Sequence, residues 1–173
     1  MKAIFLDRDG TLNQDIGYLH SLDQLIWIPG TFAALRRLQS LGFLLFVVTN
    51  QSGVARGLYS EQDVIELHKH MAQILESEGI QITDWAFCPH HPKITGSCFC
   101  RKPQPGMLFN LAQKHHIDIN QSFIVGDTLQ DQQASSNANC AFIPVLSGKA
   151  PQDLQNQNLP CSYNTLWDWV QTL

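Results

Sequence analysis

Short, mostly apolar runs alternate with longer amphipathic segments along this chain. The runs occupy residues 4–6, 43–48, 82–87, 122–126 and 141–145, and polar residues directly follow the first, second and fourth of them. Runs of this length predict strands that are buried on both faces of a sheet. Parallel strands bring their carboxyl ends to one edge, so we expect these polar residues to meet there.

Amphipathic helices are expected after the first two strands. Residues 31–41 place apolar side chains on one helical stripe, with Thr31 as a possible cap and a glycine at the end. A capping-box pattern at Ser60 and Asp63 precedes a second stripe, which ends at Gly79. A helix between two parallel strands is the crossover that a βαβ unit requires.

The second half of the chain repeats this alternation. Helices are predicted for about residues 106–116 and 165–170, and Trp167 is expected to pack inward from the last one. A Gln/Asn-rich loop precedes that last helix. The whole pattern predicts one α/β domain over residues 1–173, Rossmann-like, with a mainly parallel sheet and helices on both faces.

The composition is that of a globular domain, and it narrows the classes of partner. The chain has 173 residues, of which 44% are hydrophobic and 15% charged, and its formal net charge is −4. An acidic chain lacks the basic surface that nucleic-acid binding needs. No apolar run approaches the ~20 residues of a membrane helix, and the segment after Met1 is too short for a signal-peptide core. We expect a cytoplasmic monomer without nucleic-acid or membrane partners.

Four chemically versatile side chains stand apart from the other motifs. His68 and His70 fall on the second predicted helix and are expected at its surface or boundary, not as ligands. Cys140 and Cys161 are expected to be buried as small hydrophobic side chains.

Two carboxylates follow the first strand. Asp7 and Asp9 stand two residues apart, so both can face the same side if the extended conformation continues that far. One of them can stay ionised as a nucleophile or metal ligand while the other carries a proton. The alternative is that Asp-x-Asp-Gly is only a turn or capping sequence, which taken alone is its more common role.

The loop after the second strand has the composition of a phosphate site. It begins Thr49-Asn50-Gln51-Ser52 and continues to Gly57, so that it contains two hydroxyls, two amides and two glycines. Glycines let backbone N–H groups turn toward an anion, and we expect these four residues to contact the substrate. A polar turn without a ligand is the alternative interpretation.

A cluster of soft metal ligands follows the third strand. The pattern Cys-x-His-x7-Cys-x-Cys is formed by Cys88, His90, Cys98 and Cys100. Three thiolates and one imidazole complete a tetrahedral zinc ion and leave no position for water. The cluster therefore predicts a structural Zn²⁺ that fixes the loop 88–102. His91 is the alternative imidazole ligand, and we favour His90.

Two cations and two further acids complete the candidate chemistry. Arg101 and Lys102 follow the cysteine cluster directly. Lysine suits a phosphoryl group, while arginine can bind hydroxyls or a second phosphate. Asp127 follows the fourth strand and can complete an oxygen site for Mg²⁺ with Asp7. Asp131 is expected either to orient its neighbours or to cap the next helix.

Taken in this order, the loops resemble a known family. Asp-x-Asp, Thr-Asn-Gln-Ser-Gly, Lys and Gly-Asp-x3-Asp are similar to the four motifs of the haloacid dehalogenase superfamily of phosphohydrolases, carried here by Asp7 with Asp9, Thr49, Lys102 and Asp127. The stretches DRDGTLN, TNQSGVARG, CPHHP, CxCRKPxPGM and VGD resemble, more narrowly, the heptose-bisphosphate phosphatases and the related histidinol-phosphate phosphatases. The resemblance covers essentially the whole sequence.

The resemblance implies hydrolysis of a phosphomonoester with Mg²⁺. Asp7 would attack phosphorus and form an aspartyl-phosphate, while Asp9 would protonate the leaving oxygen and then activate water. Mg²⁺ would bind the carboxylates of Asp7 and Asp127 and the backbone carbonyl of Asp9. Thr49 and Lys102 would hold the phosphoryl oxygens.

The same resemblance implies a sugar phosphate substrate. Asp15, Gly17, Tyr18 and Arg101 would contact D-glycero-D-manno-heptose 1,7-bisphosphate, which would lose its 7-phosphate during synthesis of lipopolysaccharide precursors. Thr128 departs from the pattern, because a lysine is expected there, and the interval between the zinc-loop histidine and Cys98 is short. The motifs leave no room for a separate cap domain, so we expect an open site.

Three alternatives stay open at this point. The substrate could be histidinol phosphate, and the sequence does not separate the α from the β anomer of the heptose. An inactive, zinc-stabilised binding module is the alternative of another class. The presence of Asp7, Asp9, Lys102 and Asp127 argues against loss of activity.

Overall fold

The computed structural model describes residues 1–157, 159 and 161–173 and contains one five-stranded sheet. The strands are β1 (Ala3–Leu6), β2 (Leu44–Asn50), β3 (Asp84–Cys88), β4 (Phe123–Gly126) and β5 (Ala141–Pro144). All neighbours are parallel, and the order across the sheet is β3-β2-β1-β4-β5. The chain therefore winds outward in both directions from β1, and ligands of open α/β sheets bind where the strand order reverses in this way.

Helices cover both faces of this sheet, as the alternation in the sequence predicts. They are α1 (Thr31–Ser40), α2 (Glu61–Ser77), α3 (Gly106–His115), α4 (Leu129–Ala138), α5 (Pro151–Gln155) and α6 (Leu166–Val170). Alternate residues of β1 point to opposite faces: Ile4 and Leu6 pack with α1 and α6, whereas Ala3 and Phe5 pack with α3 and α4. The central strand is thus buried on both sides, which explains its unbroken apolar sequence.

The element boundaries differ from the sequence expectations at several points. β2 continues through Asn50, so Thr49 lies in the strand instead of after it. Thr31 is the first helical residue of α1, and the N-cap is Gly30, whose φ of 88° suits a residue without a side chain. The capping box of Ser60 and Asp63 is present at the start of α2.

The expectations near the end of the chain have mixed outcomes. Trp167 packs inward against the core as expected, although it is only half-buried and Trp169 is the fully buried tryptophan of α6. Cys161 is exposed and not a core residue, although Cys140 is buried as expected. The Gln/Asn-rich segment contains the short helix α5, and its positions 158 and 160 lie outside the described residues.

The intervals that hold a cap domain in larger α/β enzymes are short here. Between β2 and β3 the described chain forms the helix α2 and its connections, and between β3 and α3 it forms the loop 88–102. Neither interval contains a separate domain. Within the described residues, no helix combines the length and the apolar character needed to cross a membrane.

Candidate active site

Three neighbouring strands end in polar residues at the same edge of the sheet. Asp7 follows the central strand β1, Thr49 lies near the end of β2, and Asp127 follows β4. The Asp7 N–H donates to the carbonyl of Val125 at 2.9 Å, which ties the loop after β1 to β4. A pocket opens at this edge, and the residues that line it are Asp7, Asp9, Asp15, Gly17, Thr49, Asn50, Arg101, Lys102, Asp127, Thr128 and Gln130.

Lys102 joins the nucleophile candidate to a second carboxylate. Its ammonium group lies 2.9 Å from Oδ1 of Asp7 and 2.6 Å from Oδ1 of Asp131, and it donates to the carbonyl of Val48 at 2.9 Å. Burial lowers the pKa of Lys102, but Asp131 and Asp7 raise it by more, so the net pKa lies above the usual value. The lysine is therefore a permanent cation beside Asp7.

Asp131 fills both of the roles considered for it. Its Oδ2 accepts hydrogen bonds from the N–H and the hydroxyl of Thr128, which completes a capping box at the start of α4. Its Oδ1 contacts Lys102. A carboxylate at a helix N-terminus is stabilised by the helix dipole, so Asp131 can hold Lys102 from a fixed position.

Asp127 is the acid whose surroundings best fit a bound cation. Its Oδ1 is buried and has no hydrogen-bond partner among the described residues. A carboxylate oxygen of Asp127 lies within 4.8 Å of one from Asp7 and one from Asp131. Burial, with smaller contributions from Asp7 and Asp131, raises the pKa of Asp127 to about 9. A divalent cation would offset this repulsion, so the donor set suits Mg²⁺, which prefers carboxylate oxygens.

Backbone without side chains surrounds the Asp127 carboxylate. A Cβ atom at Gly10 or at Gly148 would collide with its oxygens. Gly10 also needs glycine for its φ of 85°. The two loops therefore approach Asp127 closely because both carry glycine there.

Burial also dominates the chemistry of Asp7. It raises the pKa of the Asp7 carboxyl group to about 7, although Lys102 acts in the opposite direction. Oδ1 of Asp7 accepts from the Arg8 N–H at 2.8 Å in addition to contacting Lys102. Both contacts use the same oxygen, which leaves Oδ2 to face the pocket.

Asp9 is held by a different set of partners. Its Oδ2 accepts from Nε of Arg8 at 3.2 Å, from Nη2 of Arg8 at 2.9 Å and from Nε2 of Gln51 at 2.9 Å. Its Oδ1 accepts from Nδ2 of Asn13 at 2.9 Å. The side chain of Asp9 is thus held by Arg8, Gln51 and Asn13, and it is not a member of the group of possible metal ligands formed by Asp7, Asp127 and Asp131.

The predicted phosphate-loop residues divide between the pocket and the interior. Thr49 lines the pocket, and its hydroxyl accepts from Nε2 of Gln51 at 2.9 Å. Gln51 itself is buried and does not line the pocket, and its side-chain Oε1 accepts from the Tyr59 hydroxyl at 2.8 Å. Ser52 and the exposed Tyr18 also lie outside the lining. Gln51 therefore contacts Thr49 and Asp9 and does not line the pocket.

Asn50 connects β2 to the segment that carries Lys102. Its Nδ2 donates to the Lys102 carbonyl at 3.0 Å, and its Oδ1 accepts from the Lys102 N–H at 3.0 Å. The same Nδ2 donates to Oε1 of Gln130 at 2.9 Å. Asn50 lines the pocket, but its amide is largely used to fix the main chain at Lys102.

The soft-ligand cluster comes together in the loop 88–102. Sγ of Cys100 lies 3.2 Å from Sγ of Cys88 and 3.4 Å from Sγ of Cys98. Nδ1 of His90 lies 3.3 Å from Sγ of Cys100. His91 points elsewhere, with Nε2 2.9 Å from the guanidinium of Arg56. The geometry favours His90 over His91 as the fourth member.

The pocket wall formed by Arg101 depends on that same loop. Nη1 of Arg101 donates to the carbonyl of His90 at 3.1 Å, and the side chain lines the pocket beside Lys102. On the opposite rim, Asp15 accepts from the Gly17 N–H at 2.7 Å and pairs with Lys149 at 3.1 Å. Charged side chains from two loops thus face each other across the opening.

Sequence reasoning missed Arg8 and misplaced His68. Arg8 is fully buried, and His68 is also buried, not at the surface or boundary of α2, because its ring packs on Trp85 and Phe87 of β3. Nη1 of Arg8 lies 3.1 Å from Nε2 of His68. The position of Arg8 between Asp7 and Asp9 was the available signal for it, whereas nothing in the local sequence distinguishes His68.

Comparison with proteins of similar sequence shows the family of this chain. A D-glycero-beta-D-manno-heptose-1,7-bisphosphate 7-phosphatase from Pasteurella multocida is 47% identical over 79% of this chain and 77% of its own length. The protein of the same name from Salmonella typhi is 45% identical over 97% of this chain and 88% of its own length. The chain belongs to the heptose-bisphosphate phosphatase family. It is thereby a phosphomonoester hydrolase of the haloacid dehalogenase superfamily, and the HAD-hydrolase-like family model matches residues 99–166.

A solved heptose-bisphosphate phosphatase has the same fold. The D,D-heptose 1,7-bisphosphate phosphatase from B. bronchiseptica, complexed with magnesium and phosphate, superposes with a TM-score of 0.88 at 35% identity and covers 99% of this chain and 97% of its own. The enzyme from Burkholderia thailandensis superposes with a TM-score of 0.73 at 27% identity over the same shares. The predicted fold class and family are confirmed.

Proposed function

We propose that this chain removes the 7-phosphate of D-glycero-β-D-manno-heptose 1,7-bisphosphate through an aspartyl-phosphate on Asp7. The observation that carries the proposal is the placement of Asp7 between Lys102 and Asp127 at the centre of the pocket. The names of the similar proteins supply the substrate and the anomer. The product sugar phosphate belongs to heptose precursor synthesis.

Asp7 is the nucleophile in this proposal. Lys102 and the Arg8 N–H fix its Oδ1, so that Oδ2 can attack phosphorus while the P–O bond to the sugar breaks. Burial raises the pKa of Asp7 to about 7 even though Lys102 lowers it, which would leave part of Asp7 protonated near neutral pH. A bound Mg²⁺ would add a second cation that favours the ionised nucleophile.

The charge on the phosphoryl oxygens falls to Lys102 and Thr49. Both are buried at the base of the pocket, so their hydrogen bonds act in a water-poor environment. Asp7 and Asp127 would hold Mg²⁺ with the backbone carbonyl of Asp9, the further ligand that the family implies. Bound there, the ion would supply the additional positive charge that neutralises the phosphoryl group.

Asp9 is the acid and base of the cycle. It lines the pocket without joining the metal-ligand cluster, and its side chain keeps partial exposure of 17%. From there it can give a proton to the departing sugar oxygen and later take one from the water that hydrolyses the intermediate.

The two rims of the pocket would recognise the rest of the sugar. Arg101 is positioned for the 1-phosphate or a hydroxyl, and Asp15 and Gly17 face it from the other side. A structural Zn²⁺ on Cys88, His90, Cys98 and Cys100 would keep Arg101 in place. The proposed site uses residues of one chain, so the proposal needs no residue from a second subunit.

The test compares Mg²⁺-dependent phosphate release from the β and α anomers of heptose 1,7-bisphosphate and from histidinol phosphate. We expect the β anomer to have the highest kcat/KM, and Asp7→Asn to remove turnover of all three. Asp23→Asn, a change in the exposed turn 22–24, is the matched control with full activity. Preference for histidinol phosphate would overturn the substrate, and an active Asp7→Asn variant would overturn the nucleophile.

A further inference from the structure

Arg8 is a buried cation that the proposed chemistry leaves without a role. It stands between Asp7 and Asp9 in sequence, yet its side chain has no exposed surface and does not line the pocket. Nε and Nη2 both donate to Oδ2 of Asp9, and Nη2 also donates to the carbonyl of Leu19 at 3.1 Å. The main-chain N–H of Arg8 contacts Asp7, but its guanidinium lies outside the pocket, so the side chain can influence the reaction only through Asp9.

The remaining nitrogen of this guanidinium is directed at a histidine. Nη1 lies 3.1 Å from Nε2 of His68, and an arginine side chain can only donate hydrogen bonds. Nε2 of His68 must therefore be the acceptor, and the ring must be neutral with its proton on Nδ1. Burial, and secondarily Arg8, lowers the pKa of His68 to about 3, which agrees with a neutral ring. Trp85 holds the ring from β3 with centroids 4.8 Å apart.

The two oxygens of Asp9 are made unequal by this arrangement. Oδ2 accepts three donors, two from Arg8 and one from Gln51, which uses its acceptor capacity. Oδ1 accepts a single donor, from Asn13. A proton on the carboxyl group is therefore accommodated at Oδ1 and excluded from Oδ2.

We propose that His68, acting through Arg8, is a positioning residue that fixes the Asp9 carboxyl group so that Oδ1 delivers the proton to the leaving group. This inference rests on the proposed role of Asp9 as general acid. Without an acceptor at His68, one N–H of a fully buried guanidinium loses its partner, and the guanidinium shifts toward another acceptor. The Asp9 carboxyl group, whose Oδ2 is held by two donors of that guanidinium, then rotates with it.

Leaving groups of different basicity separate this role from a purely structural one. A sugar or alkyl phosphate needs a proton on the departing oxygen, whereas p-nitrophenolate leaves without one. The parameter to compare is kcat/KM, because it covers the steps up to transfer of the phosphoryl group to Asp7. The substrates are heptose 1,7-bisphosphate and p-nitrophenyl phosphate, both assayed with Mg²⁺.

Two substitutions at His68 form a matched pair. The side chain of His68→Gln places an oxygen at about the distance of Nε2 and preserves the acceptor, while His68→Asn is too short to reach Arg8. We expect His68→Asn to lower kcat/KM for the sugar phosphate about 10²-fold, as misplacement of a catalytic group by ~1 Å can do, and for p-nitrophenyl phosphate less than about threefold. His68→Gln should restore most of the sugar phosphate activity.

Two controls show which claim fails if the result differs. Met71→Ala removes packing from the same side of α2 but keeps the acceptor at His68, and should change kcat/KM for both substrates by the same factor. Asp9→Asn should lower the sugar phosphate value by about 10²- to 10⁴-fold and spare p-nitrophenyl phosphate. Equal losses in Asp9→Asn would overturn the acid role and this inference with it. Equal losses in His68→Asn, with Asp9→Asn as expected, would overturn only the inference.

A measurement on the unmodified protein keeps the inference testable if His68→Asn does not fold. Proton–nitrogen correlation spectra of ¹⁵N-histidine-labelled protein near neutral pH should show His68 with a protonated Nδ1 and an unprotonated Nε2. A ring protonated at Nε2 could not accept from Arg8, and would overturn the proposal.

Discussion

Two buried cations stand beside the two aspartates of the site, and they are used differently. Lys102 comes from 95 residues along the chain and contacts Asp7, Asp131 and the carbonyl of Val48. Arg8 is the immediate neighbour of Asp9 and contacts Asp9, His68 and the carbonyl of Leu19. Each cation therefore has a carboxylate of the site, a second side chain and a main-chain oxygen.

The difference lies in what each cation can reach. Lys102 lines the pocket, and an ammonium group is a point charge that can redirect its donors toward phosphoryl oxygens. Arg8 lies outside the pocket, and its planar fork is committed to three protein acceptors. In the proposed mechanism, Lys102 can therefore respond to the charge that develops on the phosphoryl group. The enclosed Arg8 can instead keep the Asp9 carboxyl group in one orientation.

Of the substitutions at the two buried cations, Lys102→Met should have the larger effect on activity. The change keeps the length of the side chain but removes the cation, and loss of one such stabilising group lowers kcat about 10²- to 10³-fold. Without Lys102 the pKa of Asp7 rises further, which adds to the loss near neutral pH. The loss of kcat can be measured by steady-state phosphate release.

Lys114→Met is the matched control for this change. Its ammonium group pairs with Asp84 at 2.8 Å, but the side chain is 67% exposed, so its loss should leave kcat unchanged. If Lys102→Met kept near-normal kcat, the contrast between the two buried cations would not hold.

Arg8→Lys should have the next largest effect. The charge remains, but a lysine cannot contact Asp9, His68 and Leu19 together, so we expect about a 10- to 100-fold loss of kcat/KM with a sugar phosphate. The loss with p-nitrophenyl phosphate should be smaller. Arg36→Lys, at an exposed pair with Glu78, should change neither substrate; a wild-type value for Arg8→Lys would mean that charge alone suffices there.

Cys98→Ser should have an intermediate effect that separates Lys102 from Arg101. Loss of the proposed Zn²⁺ would loosen the loop 88–102, but Asn50 would still hold both main-chain groups of Lys102. We therefore expect KM to rise about tenfold, equivalent to about 1.4 kcal/mol, with a smaller change in kcat.

Metal analysis should find zinc in the parent protein and not in Cys98→Ser. Cys161→Ser, at the exposed cysteine outside the cluster, should retain both zinc and KM. A fall in kcat with unchanged KM would show that Lys102, not Arg101, depends on the metal.

The last expected effect concerns the acid stability of the fold and not its activity. His68 is neutral in the folded state because its pKa is lowered to about 3, whereas the unfolded chain takes up a proton below its usual value of 6.5. The unfolded state thus binds more protons between these values, and stability falls as pH falls through this window, by about 2 kcal/mol from His68 at about pH 5. Urea unfolding near pH 7 and pH 5 should show a smaller pH dependence for His68→Gln than for the parent protein. Equal dependence would mean that His68 is already charged in the fold.

The sequence was sufficient to predict the positions of those site residues that lie at the ends of strands. Asp7, Thr49 and Asp127 follow or end buried runs, and a parallel sheet brings such positions to one edge without further information. The cysteine pattern was equally local. The roles of Gln51 and Asn50 were not predictable, because an amide in a polar loop looks the same whether it faces a ligand or the interior.

The contact between Arg8 and His68 depends on packing alone. These residues are 60 positions apart, and their approach is set by how α2 is rotated against β3. A stripe of apolar residues defines the rotation of α2 only to about the width of one side chain, and His68 lies at the margin of that stripe. The same limit explains why Trp169 is more deeply buried than Trp167, although both tryptophans of α6 pack against the core.

The short intervals around β3 have a consequence for the fate of the phosphorylated enzyme. With no domain among the described residues to close over the pocket, the acyl phosphate would remain in contact with every small nucleophile in the surrounding solution. In the proposed mechanism, water then competes with these nucleophiles for the aspartyl-phosphate, and it is favoured by its concentration and by activation at Asp9. The faster Asp9 activates water, the smaller is the fraction of phosphate that is transferred to other alcohols.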